Sequence, residues 1–192
     1  MAKSFSSLQS KRPFQPLQVA ILTVSDSRRR ATDSSGDLLQ QLAQRAGHQV
    51  FERALLPNNR YALRAQISQW ILSPEAQVVL VNGGTGFAAS NCTVEALTPL
   101  LDQCIDGFGE LFRQLSFQSI GSASLQSRAC AGLANQTLIF AMPGSGSACE
   151  LAWQQLIAPQ LNAETGPCNF VPHLKNSTAT SCATGPGCEG VA

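Results

Sequence analysis

Segments with the character of strands and of helices alternate along almost the whole chain, and this alternation limits the folds open to it. Short apolar, β-branched runs at 17–24, 50–56, 76–81 and 137–142 have the length and composition of buried strands. Helical patterns lie between them. A strand that is followed by a helix and a parallel strand forms a right-handed βαβ unit. The pattern therefore predicts an α/β fold, a single three-layer domain with a mainly parallel sheet covered by helices on both faces.

The helices are predicted from apolar residues at helical spacing and from the signals at helix ends. They cover 34–46, 60–72, a segment that starts near Thr93, stretches around 109–115 and 125–133, and 147–161, with Ser147 as N-cap of the last. Asn59 is a good N-cap, Gly47 stands at a C-cap position, and Ser34 with Asp37 resembles a capping box. Pro99 predicts that the helix after Thr93 ends early or is kinked.

Composition indicates one compact domain. Of 192 residues, 44% are hydrophobic and only 13% are charged. No linker interrupts the alternating region, so residues 17–175 are predicted to form the domain. Residues 1–16 are predicted to be a flexible arm, and the small, polar residues 176–192 a disordered tail. The low charge also suits a protein that covers part of its surface in a homo-oligomer.

Several functional classes are disfavoured by the same data. The net charge of +1 provides no basic field for nucleic acid. No apolar run approaches the roughly 20 residues that span a bilayer, and the first residues lack the apolar core of a secretory signal. A cytoplasmic location is predicted, where the seven cysteines should stay reduced. Because they form no CxxC pair, zinc binding is disfavoured, and most are predicted to be small buried residues.

Ligands of parallel sheets bind beyond the carboxyl ends of the strands, and three suggestive turns follow predicted strands there. Ser25 and Asp26 begin a loop with hydroxyls and arginines that could hold an anion, although a solvated loop with an ordinary helix cap is the favoured interpretation of this segment taken alone. The turn 143–145 (Pro-Gly-Ser) could border a ligand or simply connect a strand to a helix. The segment 106–110 (DGFGE) allows the same two interpretations.

The turn 83–86, Gly-Gly-Thr-Gly, follows the most clearly central strand. Its glycines would let the backbone approach a ligand closely, and successive N–H groups could surround phosphate oxygens. A tight strand-to-helix turn is the alternative. The segment is neither a Walker A loop nor GxGxxG, so a nicotinamide-dependent oxidoreductase is disfavoured.

Taken in order, these segments resemble the MoaB/Mog family of molybdenum-cofactor biosynthesis proteins. The resemblance covers 17–175 and rests on TVSDSR (23–28), DSSG (33–36), GGTG (83–86) followed by TxEA (93–96), GFGE (107–110), LQSRA (125–129), LIFAMPGS (138–145) and IAPQL (157–161). NFVPHLK (169–175) is similar to the MoaB branch in particular. The resemblance implies homo-trimers or hexamers, and an activity in which ATP and Mg²⁺ adenylylate the terminal phosphate of molybdopterin.

The resemblance also implies which residues form the site. The phosphate end of the pterin would be held by Ser25, Asp26, Gly83, Gly84, Thr85 and Gly86, and the same cleft would be bordered by Pro143, Gly144 and Ser145. Two positions depart from active members, which carry acids where this chain has Asn58 and Asn91. Because Mg²⁺ prefers anionic oxygen ligands, the metal site is left undefined. Two functions stay open: a molybdopterin adenylyltransferase, or a catalytically weak or inactive pterin-binding and assembly protein of the same pathway.

Overall fold

The computed structural model describes residues 13–176, which form a six-stranded sheet in the order β2-β1-β3-β6-β5-β4. The strands are β1 (Gln18–Val24), β2 (Gln49–Leu56), β3 (Val78–Asn82), β4 (Gln103–Cys104), β5 (Cys130–Ala134) and β6 (Thr137–Met142). Strands β2, β1, β3 and β6 are parallel, whereas β5 and β4 are added antiparallel at one edge. No helix in 13–176 has the length and apolar character that a membrane span requires.

Helices cover both faces of the sheet. They are α1 (Ser34–Arg45), α2 (Arg60–Leu72), α3 (Thr93–Leu97), α4 (Asp106–Ile120), α5 (Gly146–Ala152) and α6 (Ala158–Leu161). Short 3-10 turns lie at Arg30–Thr32, Thr98–Leu100, Gly121–Gln126 and Val171–His173. Helices α1, α4, α5 and α6 cover one face of the sheet, and α2 and α3 cover the other.

The alternation of side chains along β1 fills both halves of the core. Val19 and Ile21 pack under α1, whereas Ala20 and Leu22 pack under α2 and α3, and all four are fully buried. Because both faces are covered, the central strands are apolar throughout, which is why they were recognisable as short continuous runs. The predicted three-layer α/β fold with a mainly parallel sheet is confirmed.

The prediction of a helix over 125–133 is wrong. A 3-10 turn ends at Gln126, and strand β5 follows and pairs with β6. The sequence of β5, CAGLA, is small and alanine-rich and contains no β-branched residue, so its composition does not indicate a strand. Its conformation comes from the two-residue turn into β6, where Asn135 and Gln136 have φ of 46° and 61°.

The helix ends are partly as predicted. Asn59 caps α2 by accepting from the amides of the first turn, and Gly47 follows α1 with a φ of +87°. Two predicted caps are wrong by one or two positions. Asp33 rather than Ser34 caps α1 by accepting from Gly36 N at 3.0 Å. Ser145 rather than Ser147 caps α5 by accepting from Ala148 N at 3.3 Å.

Two prolines shape their helices. Helix α3 ends at Leu97 and continues as a 3-10 turn that contains Pro99, so the predicted early end is confirmed. The predicted helix 147–161 forms as α5, a π-helical segment (Trp153–Ile157) and α6. Pro159 has no N–H to donate to the carbonyl of Gln155, and its ring would crowd that carbonyl. A widened turn before Pro159 removes that conflict.

The predicted arm 1–16 and tail 176–192 lie mostly outside the described residues. At the amino end, Phe14 is half-buried and its ring lies 5.4 Å from that of His48. At the carboxyl end, Lys175 N donates to Gln136 O at 3.1 Å, and the Asn176 amide donates to Pro74 O at 2.8 Å.

Candidate functional site

The order of the strands creates a crevice between β1 and β3. The chain leaves β1 into α1 on one face of the sheet and leaves β3 towards α3 on the other. The two connections diverge, and the space between them lies at the carboxyl ends of both strands. The end of β6 lies beside β3, so three of the turns singled out in the sequence meet there.

An open cleft of about 370 Å³ occupies this position. It is lined by Thr23, Val24, Ser25, Arg28, Asn82, Gly83, Gly84, Thr85, Gly86, Asn91, Gln126, Ser127, Pro143 and Gly144. Arg28 is the one charged residue in this lining, and no carboxylate belongs to it. A surface of neutral hydrogen-bonding groups with one cation favours an anionic ligand.

All four residues of the turn 83–86 line the cleft. Gly83 N is used in the sheet, where it donates to Met142 O at 3.0 Å. The carbonyls of Gly83 and Gly84 are held by Thr93, whose hydroxyl and amide donate to them at 2.8 and 3.0 Å. The amides of residues 84, 85 and 86 donate no hydrogen bond to any group within 13–176. Three successive amides without acceptors, in a turn of this kind, can surround an anion.

Glycine is needed in this turn for conformation and for space. Gly83 and Gly84 have φ of +93° and +63°, which L side chains rarely adopt. A Cβ on Gly83 would lie 2.3 Å from Val24 O, and one on Gly84 would lie 2.4 Å from Asn58 Oδ1. A Cβ on Gly144 would lie 3.0 Å from Gly83 Cα, so the ends of β3 and β6 touch through their backbones.

Arg28 also lines the cleft, next to Gly144. One guanidinium nitrogen, Nη1, bonds the Ser35 hydroxyl, and the other, Nη2, donates to Gly144 O at 3.4 Å. Its nearest carboxylate oxygen belongs to Asp33 and lies 3.9 Å away. The side chain is 32% exposed, which leaves donor capacity for a ligand.

A buried hydrogen-bonded series supports the floor of the cleft. The Asn82 amide donates to Thr23 Oγ1 at 3.0 Å, and the Thr23 hydroxyl donates to Asp33 Oδ2 at 2.9 Å. Asp33 is fully buried and is paired with Arg53 at 2.9 Å, so its charge is matched. The series fixes how the ends of β1 and β3 lie against the start of α1.

Asp26 is engaged outside the cleft. Its two carboxylate oxygens accept from Asn58, one from the backbone N–H at 2.7 Å and the other from the side-chain amide at 2.9 Å. These hydrogen bonds lower the pKa of Asp26 below its ordinary value. The remaining oxygen of the Asn58 amide is buried against the turn, without a partner among the described residues.

The other sequence-predicted residues separate into two groups. The cleft lining includes Ser25, Asn91, Pro143 and Gly144 together with the whole turn 83–86. Asp26, Asn58 and Ser145 do not belong to it. Ser145 caps α5 and lines a neighbouring cavity of about 420 Å³, which shares Ser127 and Pro143 with the cleft.

Six lining residues were not assigned to the site individually: Thr23, Val24, Arg28, Asn82, Gln126 and Ser127. Arg28 belongs to the loop whose hydroxyls and arginines were considered for anion binding. Arg28 and Asn82 stand next to predicted positions, so the position after a strand end was the available signal. Gln126 and Ser127 belong to the LQSRA motif of the resemblance, but they follow no predicted strand, because the segment before β5 was interpreted as a helix. Their place depends on the antiparallel strand that follows.

No group of three or more His, Cys, Asp or Glu side chains that could hold a metal ion occurs within 13–176. All five cysteines in that range are free thiols. Cys92 and Cys149 are buried as predicted, but Cys104 and Cys168 are exposed, so the prediction that most are buried is wrong for those two. Burial raises the pKa of Cys149 to about 12, which makes it unreactive at neutral pH.

Comparison with known proteins identifies the class. Residues 20–163 match a family model described as a probable molybdopterin binding domain. Molybdenum cofactor biosynthesis protein B of Escherichia coli K12 is 57% identical over 162 residues, covering 84% of this chain and 95% of that protein. The corresponding protein of Bacillus subtilis is 41% identical over 142 residues, covering 73% and 84%.

Solved structures agree with the sequence relatives. A crystal structure of molybdenum cofactor biosynthesis protein B has a TM-score of 0.75 at 39% identity and covers 77% of this chain and 92% of its own. The tungsten cofactor synthesizing protein MoaB from Pyrococcus furiosus has a TM-score of 0.66 at 28% identity, covering 73% and 89%. The fold and the cleft thus define a molybdopterin-binding domain of cofactor biosynthesis. The chain belongs to the MoaB/Mog family, in its MoaB branch.

Proposed function

We propose that this protein binds molybdopterin in the cytoplasm, with the phosphate of the pterin at the turn 83–86. The observation that carries the proposal is that three backbone amides without acceptors in 13–176 share a cleft with Arg28, and that no carboxylate belongs to the lining of this cleft. A phosphate monoester carries about −1.5 to −2 charges near neutral pH and has three acceptor oxygens. Amides and a guanidinium supply the complementary donors.

The residues present do not fit the Mg²⁺–ATP that the family resemblance implies. Mg²⁺ binds through carboxylate oxygens and water, and the cleft lining offers only amide and hydroxyl oxygens. Two acids lie next to the lining without belonging to it. Asp33 is buried and paired with Arg53, and Asp26 accepts one hydrogen bond from Asn58 on each carboxylate oxygen. We therefore propose a pterin-binding role in which adenylyl transfer to molybdopterin is slow or absent.

A turnover assay tests this proposal. Purified protein, molybdopterin, ATP and Mg²⁺ are mixed, and pyrophosphate release is measured beside binding of molybdopterin alone. The proposal expects binding with little or no pyrophosphate. Fast, molybdopterin-dependent release of pyrophosphate would favour the adenylyltransferase instead.

We also propose that the chain assembles with itself, as a trimer or a hexamer. Within 13–176, seven large apolar side chains are exposed, and four of them lie between Leu111 and Leu125, along α4 and the 3-10 turn after it. Apolar groups concentrated in this way, on a chain with few charges, favour a protein–protein contact. Sedimentation of the full chain reports the number of subunits.

A further inference from the structure

Arg128 makes three contacts that tie together two parts of the cleft. Its Nη2 pairs with Glu95 Oε1 on α3, and its Nη1 donates to Gly86 O at 3.4 Å. Its guanidinium carbon also lies 5.3 Å from the centre of the Phe87 ring. The side chain itself does not line the cleft.

These contacts join two walls of the cleft, the lining segments 126–127 and 83–86. Gln126 and Ser127 stand directly before Arg128 in the chain, and the turn 83–86 ends at Gly86, which Arg128 contacts. Arg128 is therefore covalently attached to one wall and hydrogen-bonded to the other. The planar fork of a guanidinium can hold two acceptors and stack on a ring at the same time, which a lysine cannot do.

Glu95 provides a fixed anchor for this link. The backbone carbonyl of Glu95 accepts from Arg64 Nη2 at 3.0 Å, so α3 is held at that point against α2. The second carboxylate oxygen of Glu95 is buried and has no partner within 13–176. Arg128 is thus the cation that forms an ion pair with this carboxylate.

We propose that Arg128 is a positioning residue that holds the segment 126–128 against the turn 83–86 and so fixes the orientation of the backbone amides of residues 84–86. The inference rests on the proposed function, because those amides are the groups assigned to the phosphate. Loss of Arg128 leaves every ligand-contacting group in the chain but allows the two walls to separate. Misplacement of binding groups by about 1 Å is enough to lose much of their effect.

The test measures the Kd for molybdopterin in Arg128→Met, Glu95→Gln and the double variant, with hydrogen exchange of residues 86–91 in the free protein. The expected result is a Kd raised about tenfold in Arg128→Met, with faster exchange in that segment. The double variant should bind no more weakly than Arg128→Met, because both changes break one link. Arg128→Lys should recover part of the affinity.

Arg64→Met is the matched control, since it removes an arginine bound to α3 that contacts no cleft residue. It should lower the melting temperature while the Kd stays near that of the wild type. A Kd raised equally by Arg64→Met would overturn the proposal, since general loosening of α3 would then explain the loss. Unchanged exchange and affinity in a folded Arg128→Met variant would also overturn it. Wild-type protein that fails to bind molybdopterin would instead overturn the proposed function, and the exchange measurement would still decide whether the link exists.

Discussion

Arg28 is the residue whose substitution most directly probes the anion site. Gly84 is less suitable, because a Cβ there would meet Asn58 Oδ1 and Thr93 Oγ1, each at 2.4 Å, and would disturb the turn itself. Arg28→Met removes the single cation of the cleft lining and should weaken molybdopterin binding about tenfold, the value of one charge-assisted hydrogen bond. Calorimetric titration measures this. Arg45→Met, an exposed change at the end of α1, is the control, and equal affinities for the two variants would contradict the role of Arg28.

Substitutions of Asn58 and Asn91 by aspartate test the proposed loss of catalysis. In Asn58→Asp the new carboxylate would face the oxygen of Asp26 that now accepts from the Asn58 amide. The two like charges destabilise each other unless a cation lies between them. We expect a lower melting temperature that Mg²⁺ restores, and in Asn58→Asp with Asn91→Asp more Mg²⁺-dependent turnover than in either single variant. A double variant that gains neither effect would show that more than these two acids separates this chain from active relatives.

At the scale of residues, the sequence predicted those parts of the cleft that consist of backbone groups and of residues at the ends of strands. The turn 83–86 was recognisable because three glycines follow an apolar strand. Asp26 and Ser145 were assigned to the site by the family resemblance, but in the structure their side chains accept hydrogen bonds from Asn58 and from the first turn of α5. Such local hydrogen bonds determine which way a side chain points, and a linear motif does not carry that information.

At the scale of elements, His48 joins α1 to the start of β1 and makes that junction sensitive to pH. It is buried, accepts from Leu17 N through Nδ1 at 3.3 Å, and lies between the rings of Phe14 and Trp153. Burial lowers its pKa from 6.5 to about 4. The unfolded chain therefore takes up this proton at higher pH than the folded one. The contribution of neutral His48 to the free energy of unfolding is fully present above about pH 6.5. It decreases as the pH falls towards 4, by up to about 3 kcal/mol.

Urea unfolding at several pH values measures that loss. In His48→Asn the amide oxygen can still accept from Leu17 N but does not titrate. The variant should be less stable at neutral pH, and its free energy of unfolding should change less between pH 6.5 and 4.5. An undiminished slope in this variant would assign the pH dependence to other groups.

Elements were predictable where periodicity and end signals agreed, as in β1, β3, β6, α1 and α2. Strands β4 and β5 were not predicted, since β4 is two residues long and β5 is built from small residues. Both are strands because of what they pair with, and pairing partners far apart in the chain leave no local pattern.

At the scale of the whole molecule, the exposed apolar residues of α4 predict self-association. Phe117→Glu with Leu125→Glu should shift the protein towards a single chain of 20.4 kDa in sedimentation at micromolar concentration. Leu72→Glu is the control, because Leu72 is 77% exposed on α2, on the opposite face of the sheet. A wild-type protein that sediments as a monomer would contradict the prediction.

The central claim is that backbone amides and Arg28, rather than a metal ion, hold the phosphate of the pterin. Titration of the 192-residue chain with molybdopterin, once in Mg²⁺ and once in EDTA, tests it most directly. The account predicts saturable binding with the same Kd in both buffers, weakened alike by Arg28→Met. Binding that is lost in EDTA, or absent in both buffers, would contradict it.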